Sequence, residues 1–472
     1  MLNKTRNIFI VGIKGAAMSN LAVMLKQLGH RVSGCDVEEE FITDDILRRY
    51  KIPVSVGFNT SQLGTKIDLI TYSAAHNGQD NPIVKEGVKR GIIVLSQAVL
   101  LSEIMDLFPI RIAVCGCHGK TTTTSLLTFA LKNLEAAPSH MIGAPFFNEI
   151  PGGAIDGKKY IVVEADEYGI DPPRNKKAKF LELNPTHTLC TNIDYDHPDV
   201  YASIEETKKT FLSFFRQGKL YLCADDPNIN SLIPHLTQPI KTFGFSKDAS
   251  LHVTTYASGE TKTTFNVTYD RHNLGEFVIS LFGEKNISNA AGVILILLDL
   301  GFSVDLIKKA IVGFIGVKRR SELLHSANDI LLIDDYGHHP SEIAATISSL
   351  RSRFPHKRII VLFQPHTFSR TEILKHDFAV SLSRADIVLV APIFASAREN
   401  SDKTSVSSKS IEQEAVGIGN NNVIGYASKA DVLVKLQSII KRNDVVLTLG
   451  AGDIYKLKDD IIKIIQRATC KV

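Results

Sequence analysis

A glycine-flanked turn between an apolar run and a threonine-rich run carries the residues best suited to phosphate chemistry. The turn is Gly116-Cys-His-Gly119, and Lys120 and Thr121 follow it directly. Glycines let backbone N–H groups approach phosphate oxygens, a helix N-terminus favours an anion, and a lysine reaches the terminal phosphates. A threonine at this place offers its hydroxyl to Mg²⁺. The pattern predicts a nucleotide-binding loop between a strand at 110–115 and a helix at 120–134.

The loop lacks one glycine of the full nucleotide-binding motif G-x-x-x-x-G-K-[ST], because Val114 occupies the first glycine position. The alternative is a chance Gly-Lys-Thr in a surface turn, but the strand and helix patterns on its two sides favour nucleotide binding. Cys115 and Cys117 could be read as a metal pair. No second cysteine pair accompanies them in the sequence, so a thiolate metal site is not favoured.

Acidic side chains end two further apolar runs. The run 160–164 ends in a glutamate, with two more carboxylates by residue 167, and the run 187–192 precedes Asp194, Asp196 and His197. In an open α/β sheet, ligands bind outside the carboxyl ends of the strands. We therefore expect the phosphate loop, these carboxylates and the histidine on one edge, as an ATP–Mg²⁺ site. Each acid could instead be a solvated loop charge or a helix cap.

The first hundred residues predict a second nucleotide-related site. A strand at 7–11 leads into Gly12 and Gly15, a helical pattern follows, and a strand at 31–36 ends in Asp36. This G-x-x-G turn is weaker than the G-x-G-x-x-G of dinucleotide-binding proteins, so a dehydrogenase is not favoured. A pyrophosphate at the helix N-terminus, with the acid near a ribose or base, fits the pattern better.

Length and composition limit the classes of protein. The 472 residues predict about three domains at ~150 residues each. The net charge of +4, without a dense Lys/Arg stripe, argues against nucleic-acid binding. The longest apolar run, 290–298, is far below the ~20 residues of a membrane helix, so no membrane insertion is expected. The scattered cysteines and the lack of a visible leader pattern predict a cytoplasmic protein with reduced thiols.

The central part of the chain alternates strands and helices, which predicts a mainly parallel sheet covered on both faces. Within it, residues 169–179 read as an exposed basic loop, either closing over an anionic substrate or simply solvated. Residues 251–282 read as a small antiparallel excursion. Asn286 and Asn289 lie on one face of the next helix, as caps or as contacts to an adenine or ribose.

The pattern restarts after residue 317 with a third α/β domain. Lys318-Arg-Arg320 precedes an apolar run that ends in Asp335, and further strands are predicted at 358–363, 385–390 and 444–450. A polar, serine-rich stretch at 399–410 is expected to be a mobile loop.

Together, six motifs resemble those of the Mur ligase family, in the family's order and over residues 7–465. They begin at residues 116, 164, 192, 318, 334 and 364, and read Gly-Cys-His-Gly-Lys-Thr-Thr-Thr-Thr, Glu-Ala-Asp-Glu, Asn-Ile-Asp-Tyr-Asp-His, Lys-Arg-Arg, Asp-Asp-Tyr-Gly-His-His-Pro and Gln-Pro-His-Thr-Phe-Ser-Arg-Thr. The resemblance implies an α/β protein of three domains. These are a Rossmann-like UDP-sugar-binding domain at 1–107, an ATP-binding domain of P-loop type at 108–316, and a Rossmann-like domain at 317–472 that closes over the amino acid.

The resemblance also implies a reaction. It is nearest to the family members that use ATP and Mg²⁺ to join L-alanine to the lactyl carboxylate of UDP-N-acetylmuramate through an acyl phosphate, in peptidoglycan precursor synthesis. A murein-recycling ligase that attaches a tripeptide is the second possibility, indicated by Glu-Ala-Asp-Glu-Tyr and the basic residues of 172–179. A non-catalytic nucleotide-binding switch is the alternative from another class. Monomer and homodimer both remain open.

Residue roles are implied by the same motifs. The nucleotide contacts would come from Gly116, Cys117, His118, Gly119, Lys120, Thr121, Thr122, Asn286, Asn289, Arg320 and Asp335. The Mg²⁺ ligands would be Thr121, Glu164 and His197. The UDP-sugar and amino-acid contacts would come from Gly12, Gly15, Asp36, Ser73, His76, His338 and Arg370. The catalytic set would be Lys120, Glu164, His197, Arg320, Asp335, His338, His366 and Arg370.

Several positions depart from the family pattern. Cys117 replaces a threonine of the phosphate loop, and Thr367 stands where alanine-adding members usually carry arginine. Glycines of the first loop are replaced by Lys14, Ala17 and Asn20. The first-loop replacements affect the expected UDP contacts, and Thr367 affects the expected choice of amino acid.

Overall fold

A computed structural model describes residues 2, 4–259, 261–395 and 405–468, and these form two compact units. By number, the first unit covers 1–257, 264–280 and 286–317, and the second covers 258–263, 281–285 and 318–472. The predicted α/β class with mainly parallel sheets is confirmed. The domain boundaries near residues 107 and 316 stay predictions.

A five-stranded parallel sheet opens the first unit. Its strands, in chain order, are β1 (Asn7–Val11), β2 (Arg31–Asp36), β3 (Val54–Val56), β4 (Leu69–Tyr72) and β5 (Ile93–Ser96). They lie side by side in the order β3-β2-β1-β4-β5. The helices between them are α1 (Ala16–Gln27), α2 (Asp44–Arg49), α3 (Pro82–Lys89) and α4 (Gln97–Met105). The predicted Rossmann-like opening is present, with Gly15 directly before α1.

A ten-stranded sheet forms the rest of the first unit. Its strands are β6 (Ile110–Cys115), β7 (Ser139–Phe147), β8 (Ile150–Ala154), β9 (Tyr160–Glu164), β12 (His187–Cys190), β13 (Lys219–Cys223), β14 (Ile240–Gly244), β15 (Leu251–Ser258), β16 (Thr263–Tyr269) and β17 (His272–Ile279). The order is β17-β16-β15-β14-β13-β12-β6-β9-β7-β8. The strands from β15 to β7 in this order run parallel, and β8 is antiparallel to β7. The carboxyl ends of β6, β9, β12 and β13 therefore meet at one edge.

Helices cover this sheet and connect its strands. They are α5 (Lys120–Asn133), α6 (Ile204–Phe214), α7 (Pro227–Leu232), α8 (Glu284–Asp299) and α9 (Val304–Ile311). Both β6 and α5 lie where the sequence predicts them. Residues 112–115 of β6 and most of α5 are buried, as expected for a strand and helix that must fix a loop between them.

The prediction of an exposed basic loop at 169–179 is wrong. The chain forms a two-stranded antiparallel hairpin there, with β10 (Gly169–Asp171) paired to β11 (Asn175–Ala178). β10 is buried, whereas Lys176 and Lys177 of β11 are exposed. The basic residues therefore mark only the outer strand of a hairpin whose inner strand packs against the protein.

The second unit contains a six-stranded sheet. Its strands are β18 (Glu322–Ala327), β19 (Ile330–Asp335), β20 (Arg358–Phe363), β21 (Ile387–Val390), β22 (Val423–Gly425) and β23 (Asp444–Leu449), in the order β18-β19-β23-β20-β21-β22. Only the edge pair β18 and β19 is antiparallel. The helices are α10 (Pro340–Arg353), α11 (Phe368–Leu382), α12 (Ser408–Gly417), α13 (Lys429–Ile439) and α14 (Lys458–Arg467).

Side-chain alternation along β20 divides the core of this unit into two layers. Ile359, Val361 and Phe363 pack with residues of α10, α11 and α12, while Ile360 and Leu362 pack with residues of α13 and α14. The last residues of the predicted mobile loop, 408–410, instead begin α12. Its residues 399–404 lie outside the described part of the chain.

Among the described residues, no helix combines the length and apolar character that crossing a membrane requires. Five of the six cysteines are free and buried, in agreement with the predicted reduced thiols, and Cys470 lies outside the described residues.

Candidate active site

The phosphate loop depends on two glycines in left-handed backbone conformations. Gly116 has φ +132° and Gly119 has φ +81°. A Cβ at Gly116 would collide with the Thr191 hydroxyl, and one at Gly119 would lie 2.7 Å from Nδ2 of Asn289. The loop is therefore closed on both sides by side chains. This geometry brings Asn289 of α8 against the loop, whereas Asn286 lies one turn earlier and is half-buried.

Hydrogen bonds fasten the loop to the segment that follows β12. The Cys117 N–H donates to the Asn192 carbonyl (3.2 Å), and the His118 N–H donates to Asn192 Oδ1 (2.9 Å). The Thr191 hydroxyl donates to the His118 carbonyl (2.6 Å). Two of the predicted phosphate-binding N–H groups thus already have acceptors within the protein. The first turn of α5, which begins with Lys120, supplies further N–H groups without intrahelical partners.

Cys117, which replaces a threonine of the family pattern, links the phosphate loop to Asp194. Its thiol donates to the Asp194 carbonyl (3.2 Å) and accepts from the Asp194 N–H (3.2 Å). A threonine hydroxyl could make the same pair of bonds. Burial, reinforced by the charge of Glu167, raises the pKa of the Cys117 thiol well above its usual range, so the thiol stays protonated. His118 Nε2 lies 3.1 Å from Asp194 Oδ2 and adds a second link to this residue.

Lys120 lies beneath the loop in a buried ion pair. Its side-chain nitrogen is 2.7 Å from Glu167 Oε2 and donates to the carbonyls of Gly116 (2.7 Å) and Cys117 (3.2 Å). Burial alone would lower the Lys120 pKa, but the nearby carboxylates, Glu167 foremost, outweigh burial and raise it. Burial alone would raise the Glu167 pKa, and Lys120 and His197 instead bring it below its usual value. Both groups therefore stay charged at neutral pH.

Two groups of oxygen and nitrogen ligands lie beside this ion pair. In the first, the Thr121 hydroxyl donates to Glu164 Oε1 (2.9 Å), and the Gly143 N–H donates to Glu164 Oε2 (2.8 Å). Burial, and then the charge of Asp166, raises the Glu164 pKa. A bound cation would oppose this shift by favouring the carboxylate.

In the second group, ligand atoms of Glu167, Asp196 and His197 all lie within 4.8 Å of one another. Glu167 Oε1 is buried, lies 3.3 Å from His197 Nε2, and accepts no hydrogen bond from the described residues. A buried carboxylate oxygen that faces an imidazole nitrogen without a well-formed hydrogen bond, among further carboxylates, fits a divalent cation. The predicted ligands thus fall into two groups, Thr121 with Glu164 and His197 with Glu167.

Three carboxylates that support the site were given no individual role from the sequence. Glu167 was expected only as one of the acids at the end of β9, and Asp225 and Asp226 after β13 were not expected at the site. Asp226 accepts from the Ile193 N–H (3.2 Å), and Asp225 accepts from the Ser288 hydroxyl (3.2 Å) near the start of α8. One therefore holds the segment before His197, and the other holds the helix that carries the paired asparagines. Their sequence signal is an acid pair directly after an apolar run, the same signal that marks Asp335.

The residues predicted to face the UDP moiety come together at the carboxyl edge of the five-stranded sheet. Gly12 has φ +77°, and a Cβ there would lie 2.7 Å from the Ser73 hydroxyl and 3.5 Å from the His76 ring. His76 Nε2 lies 3.2 Å from Asp36 Oδ1, and Asp36 also accepts from the N–H of Lys14 (2.7 Å). Burial would raise the Asp36 pKa, but these contacts, that with His76 first, lower it. Asp36 is therefore ionised and oriented.

Two of the residues that replace first-loop glycines are buried and form structural contacts. The Lys14 ammonium donates to the Glu39 carbonyl (2.8 Å) and lies 3.5 Å from Asp44. The Asn20 amide donates to the carbonyls of Ile142 (2.8 Å) and Ala144 (3.0 Å) in β7. Asn20 thus joins α1 to the ten-stranded sheet.

The second unit carries the remaining predicted residues. The Asp335 carboxylate accepts from the Ser321 N–H (2.7 Å) and hydroxyl (3.0 Å) and from the Gly337 N–H (2.7 Å). Burial raises the Asp335 pKa despite the opposing charge of Arg320. Arg320 lies 3.6 Å from Glu342 and packs over the Tyr336 ring at 5.2 Å.

The two predicted histidines of this unit are neighbours. The rings of His338 and His366 lie 5.9 Å apart at a steep angle, and His366 stacks on Phe394 at 5.8 Å. Arg370 is buried in the first turn of α11, whose N-cap is Thr367. Thr367 has φ +66°, which is rare for a β-branched residue, and its hydroxyl accepts from the Arg370 N–H (3.4 Å). The threonine at this departure from the family pattern is therefore a helix cap.

Comparisons with known proteins agree with the resemblance found in the sequence. Three profiles match in order: the Mur ligase family catalytic domain at 7–109, the Mur ligase middle domain at 114–297, and the Mur ligase glutamate ligase domain at 319–452. The UDP-N-acetylmuramate–L-alanine ligase of Trichlorobacter lovleyi is 35% identical over 469 residues, covering 98% of this chain and all of the relative. That of Neisseria gonorrhoeae is 33% identical over 478 residues, covering 98% and 99% of the two chains.

Solved structures support the same assignment. The UDP-N-acetylmuramate–alanine ligase of Thermotoga maritima matches with a TM-score of 0.79 and 25% identity, covering 98% of this chain and all of that one. A murein peptide ligase from Psychrobacter arcticus matches with a TM-score of 0.72 over 98% of both chains, and at 23% identity it supports the fold alone. The predicted resemblance is confirmed, and the chain belongs to the Mur ligase family.

Proposed function

We propose that the protein is an ATP-dependent ligase that joins L-alanine to the lactyl carboxylate of UDP-N-acetylmuramate, as a cytoplasmic step in peptidoglycan precursor synthesis. Similarity along the whole chain to UDP-N-acetylmuramate–L-alanine ligases supports these substrates. The observation that carries the proposal is the buried Lys120–Glu167 pair beneath the phosphate loop, next to Thr121 and Glu164. It combines a phosphate-binding cation with carboxylates at one sheet edge.

The first chemical step makes the carboxylate reactive. A lactyl carboxylate oxygen attacks the γ-phosphorus of ATP, the bond from this phosphorus to the β–γ bridging oxygen breaks, and ADP leaves. Charge spreads over the phosphoryl oxygens in the transition state, so positioned cations and N–H groups lower the barrier. Lys120 and the first turn of α5 are the groups that would bind the β- and γ-phosphates. Asn286 and Asn289 would contact the adenosine side.

Metal ligands are the second part of the proposal. Thr121, Glu164 and His197 would hold Mg²⁺, and Glu167 and Asp196 extend the set around His197. Bound Mg²⁺ neutralises phosphate charge and orients the transferred group. The buried Glu167 Oε1, which lacks a hydrogen bond from the described residues, supports a cation at this place.

The second chemical step forms the amide. The alanine nitrogen attacks the acyl carbon of the acyl phosphate, and the tetrahedral intermediate expels phosphate as the amine loses a proton. We propose that Arg370 pairs with the alanine carboxylate, because a guanidinium suits bidentate pairing. His338 and His366 would lie on the amine side, and Arg320 and Asp335 would contact ATP.

A parallel assay tests the reaction. The purified protein is given ATP, Mg²⁺ and UDP-N-acetylmuramate with L-alanine, glycine, L-serine or the murein tripeptide, and ADP release is measured. L-Alanine should give the highest kcat/KM. Release with the tripeptide alone would identify a recycling ligase, and no release with any acceptor would leave a nucleotide-binding switch.

A variant tests the amino-acid side separately. Arg370→Ala should raise the KM for L-alanine about 10- to 100-fold, the loss expected for a charge-assisted hydrogen bond. The KM for ATP should change far less. Equal changes in the two constants would contradict the assigned role of Arg370.

A further inference from the structure

The loop that carries His76 has an unusual backbone. Three consecutive residues, His76, Asn77 and Gly78, have positive φ angles of +55°, +71° and +49°. Left-handed conformations are unfavourable for residues other than glycine, and a run of them persists only where the surroundings hold it. His76 is the residue that pairs with Asp36 and packs on Phe58 at 4.7 Å between ring centroids. Its position therefore depends on whatever holds this turn.

Contacts within residues 72–81 hold one side of the turn. The Asn81 amide donates to the His76 carbonyl (3.0 Å), and the Gln79 amide donates to the Tyr72 hydroxyl (2.8 Å). These bonds fix the ends of the turn. Within the turn, the Gly78 N–H also donates to the Ala75 carbonyl (3.2 Å), and the Gly78 carbonyl accepts from the Asn81 N–H (3.2 Å). The next backbone N–H, that of Gln79, points to the other side of the turn and is held there.

Asp171 of the β10–β11 hairpin packs against that other side. Its side chain is about 1% exposed, and its Oδ2 accepts from the Gln79 N–H (3.0 Å). A Cβ at Gly78 would collide with the Asp171 carboxylate, so the turn and the acid are in direct contact. Arg174 lies 3.6 Å from Asp171 Oδ1 and also pairs with Asp80, and so bridges the hairpin and the turn.

The hairpin is itself anchored at the nucleotide side. The Lys179 N–H donates to the Tyr168 carbonyl (3.0 Å), and the Phe180 N–H donates to the Asp166 carbonyl (2.9 Å). These residues flank Glu167, the partner of Lys120. Asp171 therefore extends from a rigid base, four residues beyond the carboxylate that holds the phosphate-loop lysine.

We propose that Asp171 is a positioning residue for the UDP-sugar side of the site. It holds the 76–78 turn in its left-handed form and thereby fixes the His76 imidazole against Asp36. The hairpin thus acts as a support for this loop, and its basic residues are not a cover for the substrate. This inference rests on the proposed function, because it takes UDP-N-acetylmuramate as the ligand beside His76.

Steady-state kinetics of Asp171→Ala test the proposal. The KM for UDP-N-acetylmuramate should rise about 10- to 100-fold, as expected for the loss of a hydrogen bond to a charged group. The KM for ATP should stay within about twofold, because Lys120 and its partner are untouched. Asp171→Asn keeps the shape and one acceptor, so a smaller rise of the same KM is expected. It decides the outcome if the alanine variant does not fold.

Two further variants distinguish between two roles of the hairpin: support of the 76–78 turn by Asp171, and a cover of basic residues over the substrate. Lys176→Ala alters an exposed residue of the same hairpin and should leave all constants unchanged, whereas a basic cover would require a higher KM for the UDP sugar. Gly78→Ala should raise that KM in the wild-type background, because its Cβ collides with the carboxylate and its φ of +49° is unfavourable for alanine. It should add little in Asp171→Ala, where the turn has already lost its left-handed form.

The outcomes distinguish the inference from the function on which it rests. A wild-type protein without turnover of UDP-N-acetylmuramate would overturn the proposed function. An active wild type whose Asp171→Ala variant keeps the same KM for the UDP sugar would overturn the inference alone. Equal rises in the KM values for ATP and the UDP sugar would also overturn it, since they would indicate a general loss of structure.

Discussion

Two lysine–carboxylate clusters lie at opposite edges of the ten-stranded sheet. At the carboxyl edge, Lys120 pairs with Glu167 beneath the phosphate loop. At the other edge, Asp299, the last residue of α8, pairs with Lys241 (2.5 Å) and Lys219 (3.1 Å) near the starts of β14 and β13. The same chemical groups thus occur at both edges of the sheet. The two clusters differ in how many of their hydrogen-bonding groups have partners within the protein.

The Asp299 cluster is saturated. Oδ1 binds Lys241, and Oδ2 binds Lys219 and the Tyr221 hydroxyl (2.5 Å), while Tyr269 also contacts Lys241. Both lysines are partly exposed to solvent. Burial would raise the Asp299 pKa, but its partners, Lys241 first, lower it strongly. Each of these groups already has a partner within the protein, as a cluster that stabilises the fold requires.

The Lys120 cluster is more deeply buried and less complete. Lys120 is about 9% exposed and Glu167 about 1%, and Glu167 Oε1 faces His197 Nε2 at 3.3 Å without a well-formed hydrogen bond from the described residues. The lysine bonds to carbonyls of its own loop, which phosphate oxygens can replace. Incomplete bonding in a buried cluster is unfavourable without a ligand. The completeness of bonding, more than the residue types, separates the binding cluster from the structural one.

The largest expected effect is the loss of turnover in Lys120→Ala. ADP release should fall by at least about 10²- to 10³-fold, because a preorganised cation on the transferred phosphate is removed. UDP-N-acetylmuramate binding, measured by calorimetry, should remain. The matched control is Lys219→Ala at the other edge, which should keep kcat. A comparable loss of turnover in both variants would remove the distinction between the clusters.

Glu167→Gln should lower the stability of the protein. It leaves Lys120 buried without its charged partner, which lowers the free energy of unfolding by about 3–5 kcal/mol. Urea denaturation measures this loss. The Glu167 pKa is lowered in the folded protein, so its stabilisation is present above the unfolded value near 4.3 and disappears as pH falls through the folded value. A difference between variant and wild type that persists at pH 2 would contradict this role of the ion pair.

Asp299→Asn should change stability alone. The loss of charged hydrogen bonds lowers the free energy of unfolding by about 1–3 kcal/mol, measured by thermal denaturation, with kcat and every KM within about twofold of wild type. The folded-state pKa of Asp299 is lowered, so the wild-type advantage should hold above pH 4 and shrink as pH falls below it. A tenfold change in the KM for ATP would show that this edge also serves the site.

The smallest expected effect concerns Cys117. Cys117→Thr should leave the KM for ATP within about threefold of wild type, because a hydroxyl can replace the thiol as donor and acceptor to Asp194. In Cys117→Val the side chain has a shape similar to threonine but neither donates nor accepts a hydrogen bond. The KM for ATP should then rise about tenfold, which corresponds to ~1.4 kcal/mol. Equal constants for the two variants would mean that the thiol only fills space.

Much of the fold was predictable because buried parallel strands are short apolar runs. The sequence patterns place β1, β2, β6, β19 and β20 at their observed bounds. The β10–β11 hairpin was missed, since Arg174, Lys176 and Lys177 look like a solvated loop. The burial of Asp171 cannot be read from its neighbours, because its partner Gln79 lies 92 residues away in the chain.

The candidate site was predictable to a similar depth. The positions of Lys120, Thr121 and Glu164 could be predicted, because the first two begin the helix after a glycine turn and the third ends a buried strand. The roles of Asn192 and Asp225 could not, since each acts through hydrogen bonds to segments brought near only by folding. Asn192 in particular takes two loop N–H groups that the motif alone assigns to phosphate.

Asn20 limits how freely the domains of such ligases can be exchanged. Its amide donates to the carbonyls of the residues on either side of Gly143, and the Gly143 N–H donates to Glu164. A side chain at Gly152 or Gly153 would collide with Asn20. A chimera whose N-terminal domain has glycine at position 20 would leave two buried carbonyls unpaired, at about 1–3 kcal/mol each. Residue 20 and the two glycines of β8 should therefore be transferred together, although they lie on opposite sides of the boundary predicted near residue 107.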